Sequence, residues 1–306
     1  MNIKQQYLLS LLGLDKRGAL EDFDSFATKC NLNFGKSTVV AEMLAWYGSE
    51  INNLRLKKVT SQAVMDAAEK VQSVFNTLDM LDCSCLSPSV GGYPEGLLTL
   101  QDAKKHVICP PYLFCKGDRS LLGQVKIALA IVMELLKYGE AITSELVCEL
   151  KTCGGLPLVP MVSSESSKLV RICFAQGVTP VLLLPGGLDS HLLDLSAPFA
   201  DVICDVLERN GLLVSVHPPG TAVSRQITIK TQLYVAGFCK NILMYSLPSG
   251  DQSDTYFESA RINGNQLFSP EPILLKETNL QVKTIVSKRS DVVYLKQGFK
   301  LCGLLQ

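Results

Sequence analysis

Along the first 150 residues, apolar positions recur at intervals of three and four, the spacing of helices that bury one face. The runs Ile3 to Leu12, Leu20 to Cys30, Thr38 to Trp46, Ala63 to Leu81, Leu121 to Leu136 and Ile142 to Leu150 follow it and are predicted as helices. Between the fourth and fifth lies "DCSCLSPSVGGYPEGLLTLQDAKKHVICPPYLFCKGD", rich in Gly, Pro and Ser. It reads as an irregular insertion over about 82–118, and so long a connection in a compact domain is usually functional or an interaction surface. Gly154, Gly155, Pro157 and Pro160 then interrupt the pattern, and a polar serine run follows. No regular element is expected across them.

After about Ser167 the pattern changes to short β-rich runs: "LVRICF", "PVLLLP", "GLLVSVH", "NILMYSL", "VKTIVS", "DVVYLK" and "KLCGLL". Two helical stretches, "FADVICDVLER" and "RQITIKTQLYVAG", interrupt them. The alternation predicts a layered α/β unit, and the later runs predict an antiparallel edge or hairpins. The expected fold is mixed α+β: a helical domain over 1–150 and a Rossmann-like α/β domain with extra antiparallel strands over 151–306.

Residues Val178 to Leu247 read strand, Gly-rich turn, helix, turn, strand, helix, strand. The stretch "VTPVLLLPGGLDSHLLDLSAPFADVICDVLERNGLLVSV" resembles the second half of a class I methyltransferase fold, nearest in order to the anamorsin N-terminal domain. That resemblance covers about a quarter of the chain. It implies a methyltransferase-like domain, in a degenerate, cofactor-free version, since no strand followed by G-x-G precedes Val178.

"CNLNFGKST" ends in the Gly-Lys-Ser of a phosphate loop, which needs G-x-x-x-x-G-K-[ST] after a buried strand. Gly35, Lys36 and Ser37 fit, but Cys30 replaces the first glycine and the upstream pattern is helical. Ser37 and Thr38 read instead as the N-cap region of the helix that follows.

Lys plus Arg equals Asp plus Glu at 29 each, so no global field draws the chain to nucleic acid, and nucleic acid is not an expected partner. Charged residues are 19% of the chain against about 25% in ordinary domains, which predicts surface reserved for partners. The eleven cysteines are odd in number and scattered, which suits a reducing compartment. "LLGQVKIALAIVMELL" is interrupted by charges and is shorter than the roughly 18 to 20 residues of a membrane span. The expectation is a cytoplasmic chain with no membrane contact.

Three histidines confine the acid-base and metal chemistry. His217 ends the strand "LLVSV" before Pro218 and Pro219, and ligands of open α/β sheets sit outside the carboxyl ends of strands. With Gly186, Gly187 and Asp189 of "PGGLDSH" it forms the candidate cofactor-binding set; the alternative is an idle histidine closing a strand at a rigid turn. His191 between Asp189 and Asp194 matches no zinc spacing. Cys83, Cys85, His106, Cys109 and Cys115 share one irregular segment and are a candidate zinc cluster, although C-x-C followed by H-x-x-C lacks paired C-x-x-C. No catalytic residue and no cofactor is assigned. The expected function is a non-enzymatic structural or interaction subunit of a larger assembly, scaffold or coat-like, with protein subunits as partners, itself included. The alternative is a methyltransferase dependent on S-adenosylmethionine.

Overall fold

The computed structural model describes residues 3–12, 41, 44, 59–88, 91–131, 137–194, 199–245, 255–270, 292–296 and 298–299. It divides into two compact units, residues 1–87 and 88–306. The phosphate-loop-like Gly35, Lys36 and Ser37, the helix predicted at 20–30, and the runs "VKTIVS" and "KLCGLL" lie outside the described residues, as does the helix predicted at 38–46 except for Ala41 and Leu44, which are helical and buried.

In the first unit, α1 (Ile3–Leu11) and α2 (Ser61–Met80) are followed by a short strand, β1 (Ser84–Leu86). The Thr60 side chain caps α2 by accepting from the Ala63 N–H at 3.1 Å, one of the donors a helix start leaves unpaired. The face Val64, Ala67, Val71, Val74, Phe75 and Leu78 is buried, as the helical spacing requires. Tyr7 of α1 meets Phe75 edge to face, 6.0 Å between ring centroids.

The second unit contains α3 (Glu95–Leu98), β2 (Leu113–Gly117), β3 (Val125–Ala130), α4 (Lys137–Thr152), β4 (Leu156–Pro160), α5 (Ser164–Ala175) and β5 (Val181–Leu183). Then come α6 (Asp189–Leu192), α7 (Ala200–Glu208), β6 (Leu212–Ser215), α8 (Arg225–Phe238), β7 (Asn241–Met244), α9 (Thr255–Ile262), β8 (Gln266–Pro270) and β9 (Val292–Leu295). Its strands lie in the order β2-β6-β5-β4-β3-β7-β8-β9. All pairs are parallel except β2 with β6. The chain runs outward from β3 to β6, then returns to lay β7 on the other side of β3. That reversal between β3 and β7 is the switch point of a Rossmann-like sheet, so the mixed α/β class and the parallel layer are as expected.

Several elements differ from the sequence reading. The run Leu121 to Leu136 is not one helix: Arg119–Gln124 is a 3-10 turn and Val125–Ala130 is a central strand. Its apolar residues run together because both faces of a parallel strand are covered, and Ile127 to Ala130 are fully buried. "LVRICF" is helical, within α5, a helix that buries Ser166, Leu169, Val170 and Cys173. Leu156–Pro160 is a strand despite two prolines. Pro157 sits where the β3–β4 register slips, and Pro160 ends the strand, so neither removes a donor from a regular ladder. The later strands β7, β8 and β9 pair in parallel, whereas the antiparallel pairing is that of β2, inside the segment read as an insertion.

Candidate functional site

The predicted residues Gly186, Gly187, Asp189 and His217 do come together, at the carboxyl ends of β5 and β6. Gly186 takes φ +80, and a Cβ there would meet the Thr221 carbonyl oxygen at 2.9 Å. The Gly187 N–H donates to that same oxygen at 2.8 Å. Both carboxylate oxygens of Asp189 accept from the Gly220 N–H, at 3.0 and 2.9 Å. The buried Ser215 hydroxyl donates to the Gly186 carbonyl at 2.6 Å and accepts from the His217 N–H at 2.9 Å. The two loops thus clasp one another through atoms that a cofactor would otherwise engage.

His217 is only 7% exposed and its Nε2 lies 3.1 Å from Thr231 Oγ1. Thr231 gives its own proton to the Ile227 carbonyl, so the ring nitrogen is the donor of the pair. Desolvation, with the Lys230 charge, pushes His217 down from 6.5 to about 4. In the unfolded chain it titrates near 6.5, so between about pH 6.5 and 4 the unfolded state binds a proton that the folded state refuses. Stability is full above that window and falls as pH drops through it, by up to about 3 kcal/mol. Urea midpoints from pH 7 to pH 4 are expected to decline, with His217→Gln flattening the decline; parallel curves for both proteins would show that His217 is not the group.

His191 is buried, and its Nε2–H donates to the Pro185 carbonyl at 2.6 Å while Nδ1 has no partner. Burial lowers its pKa, opposed in part by the Pro185 carbonyl and the Asp189 charge. Among the described residues, no group of three or more His, Cys, Asp or Glu side chains converges as metal ligands. His106 sits on an exposed turn pinned by Asp102, and Cys115 is fully buried in β2. Cys109 lies 3.7 Å from the Tyr93 hydroxyl, and Cys83 and Cys85 belong to the first unit.

At the opposite, amino ends of the parallel strands is an open cleft of about 240 Å³, lined among others by Lys151, Gly155, Thr179, Arg209 and Asn210. Helices α4, α5 and α7 end there, each contributing roughly half a negative charge. Lys151 donates to the Gln176 carbonyl at 3.1 Å, and the Arg209 guanidinium lies 4.5 Å from the centroid of Phe174. Two cations facing three helix ends leave little positive field for a ligand.

No protein-family model matches the chain, and no curated protein matches it. Among solved structures it is similar to DNA processing protein A (DprA) from Streptococcus pneumoniae: 16% identity, TM-score 0.55, covering 79% of this chain and 86% of that one. A second, DNA processing protein A from Helicobacter pylori, described for its single-stranded DNA binding mode, matches at 19% identity over 62% of this chain and 80% of that one, with TM-score 0.48. The similarity at this identity is one of fold. It overturns the anamorsin resemblance, because the same strand-turn-helix order belongs here to a DprA-like sheet. With it fall the methyltransferase and the scaffold or coat-like readings, and the expectation that nucleic acid is not a partner. Among the described residues no helix is long and apolar enough to cross a membrane.

Proposed function

We propose that this chain binds nucleic acid, with DNA the class to test first. The observation that carries the reading is the fold likeness to DNA processing protein A over about four-fifths of both chains. A net charge of zero does not oppose it, because phosphate contacts depend on local cations and not on the chain's sum. In this reading Gly186, Gly187, Asp189 and His217 frame the loop that leads into α8 and do not cradle a cofactor.

The test is fluorescence anisotropy with labelled single- and double-stranded oligonucleotides of mixed sequence. At physiological salt the expected Kd is roughly 1 to 100 μM, tightening as salt is lowered. No rise in anisotropy at low salt with protein at about 100 μM, the weak limit of such binding, overturns the reading.

A further inference from the structure

We infer that the exposed arc of α8, continued by Lys240, is the surface that holds a nucleic-acid strand by its phosphates; this rests on the nucleic-acid reading above. The 41 residues from Asn210 to Gly250 contain no Asp or Glu, where the chain average of 29 in 306 would supply about four. They carry Arg225, Lys230 and Lys240, all exposed. Gln226 and Ile229 complete the exposed arc at the start of α8, and Val223 precedes it at 49% exposure, so cations alternate with uncharged surface. That combination suits a backbone track with apolar contacts for sugars or bases.

Fold stability does not account for the Arg225 charge. Arg225 is the first residue of α8, where the helix presents the positive end of its dipole and a cation is unfavourable by some tenths of a kcal/mol. Lys151 and Arg209, in contrast, stand where helix ends call for cations. Besides desolvation, the Lys230 charge helps to lower the pKa of His217, so this cation is felt at the strand end beside α8. At the far end, the Gln266 N–H donates to the Lys240 carbonyl, and Asn263 holds Gln101 at the base of the turn bearing the exposed Lys104 and Lys105. Among the described residues around this face, Asp102, Asp189, Glu95 of α3 and Glu258 of α9 set four carboxylates against the five cations, and Asp102 and Asp189 are already held by backbone N–H groups.

The experiment measures the salt dependence of oligo(dT) binding by the wild-type chain, the triple variant R225A/K230A/K240A, and the control K151Q/R209Q. Each lost single-strand phosphate contact lowers the slope of log K against log salt by about 0.7, so the triple variant is expected to lose about 2. The control is expected to keep the wild-type slope. Gln226→Glu, an exposed change that leaves the cations in place, is expected to weaken binding several-fold and guards against misfolding of the triple variant. Wild-type binding with an unchanged slope in the triple variant overturns this surface alone. Absence of binding by the wild-type chain overturns both the surface and the functional reading beneath it.

Discussion

Gly117→Ala is expected to destabilise the protein by about 3 to 5 kcal/mol, the sum of an unfavourable backbone conformation and a collision that neither strand can avoid. Gly117 ends β2 with φ +102 and pairs with Leu212 of β6. An added Cβ would fall on the Gly211 carbonyl oxygen, closer than carbon and oxygen approach without a bond, and 3.4 Å from the Leu212 Cα. Both neighbours are backbone, so relief requires separating β2 from β6. Gly220 provides the comparison: it has φ +84, but no atom lies within 4 Å of its Cβ position. Gly220→Ala should therefore cost only the conformational part, about 1 to 2 kcal/mol. Urea denaturation of the two variants separates strain from collision. Equal losses would show that the β2–β6 contact yields without penalty.

The elements that the sequence makes legible are those whose burial is one-sided. In α2 the buried residues Val64, Ala67, Val71, Val74, Phe75 and Leu78 recur at helical spacing, so the element is found from the spacing to within two residues at each end. In β3 the signal fails, because Ile127 to Ala130 are buried on both faces and carry no alternation to distinguish strand from buried helix. Pro157 and Pro160 mislead for another reason. A proline argues against a strand only where its missing N–H would have joined the ladder, and these two stand at a register slip and a strand end. The rim was legible as a gathering place, since Gly186, Gly187, Asp189 and His217 all follow strand ends. That its polar atoms close on one another was not, because hydrogen bonds between residues 189 and 220 depend on how two distant loops fold back.

Charge was read at the wrong scale. A zero sum says nothing about segregation, and Arg225, Lys230 and Lys240, which are 5 and 10 residues apart, form no contiguous basic run. The informative feature is the absence of acid between Asn210 and Gly250, which a count of basic residues does not register. On the proposed reading, exposure then selects which of those cations a phosphate meets, and that requires the fold.

Gly187→Ala tests whether the rim is a clasp under close packing, and it is expected to lower stability by about 2 to 3 kcal/mol. Its Cβ would meet the Asp189 Oδ1, the Pro218 carbonyl oxygen at 2.7 Å and the Pro219 Cα at 3.0 Å. Asp189 is the one neighbour able to turn away, and turning breaks its hydrogen bonds to Gly220. Removing the carboxylate in the same molecule relieves part of the collision, so the double variant G187A/D189A should lose less than the two single variants added together. A coupling of about 0.5 to 1.5 kcal/mol is expected from residues in contact. The cycle is read from urea midpoints at pH 7, above the window in which His217 changes stability. Strict additivity would mean that Asp189 does not share the strain at Gly187, and that the two loops are held by the Ser215 hydroxyl and the Thr221 carbonyl alone.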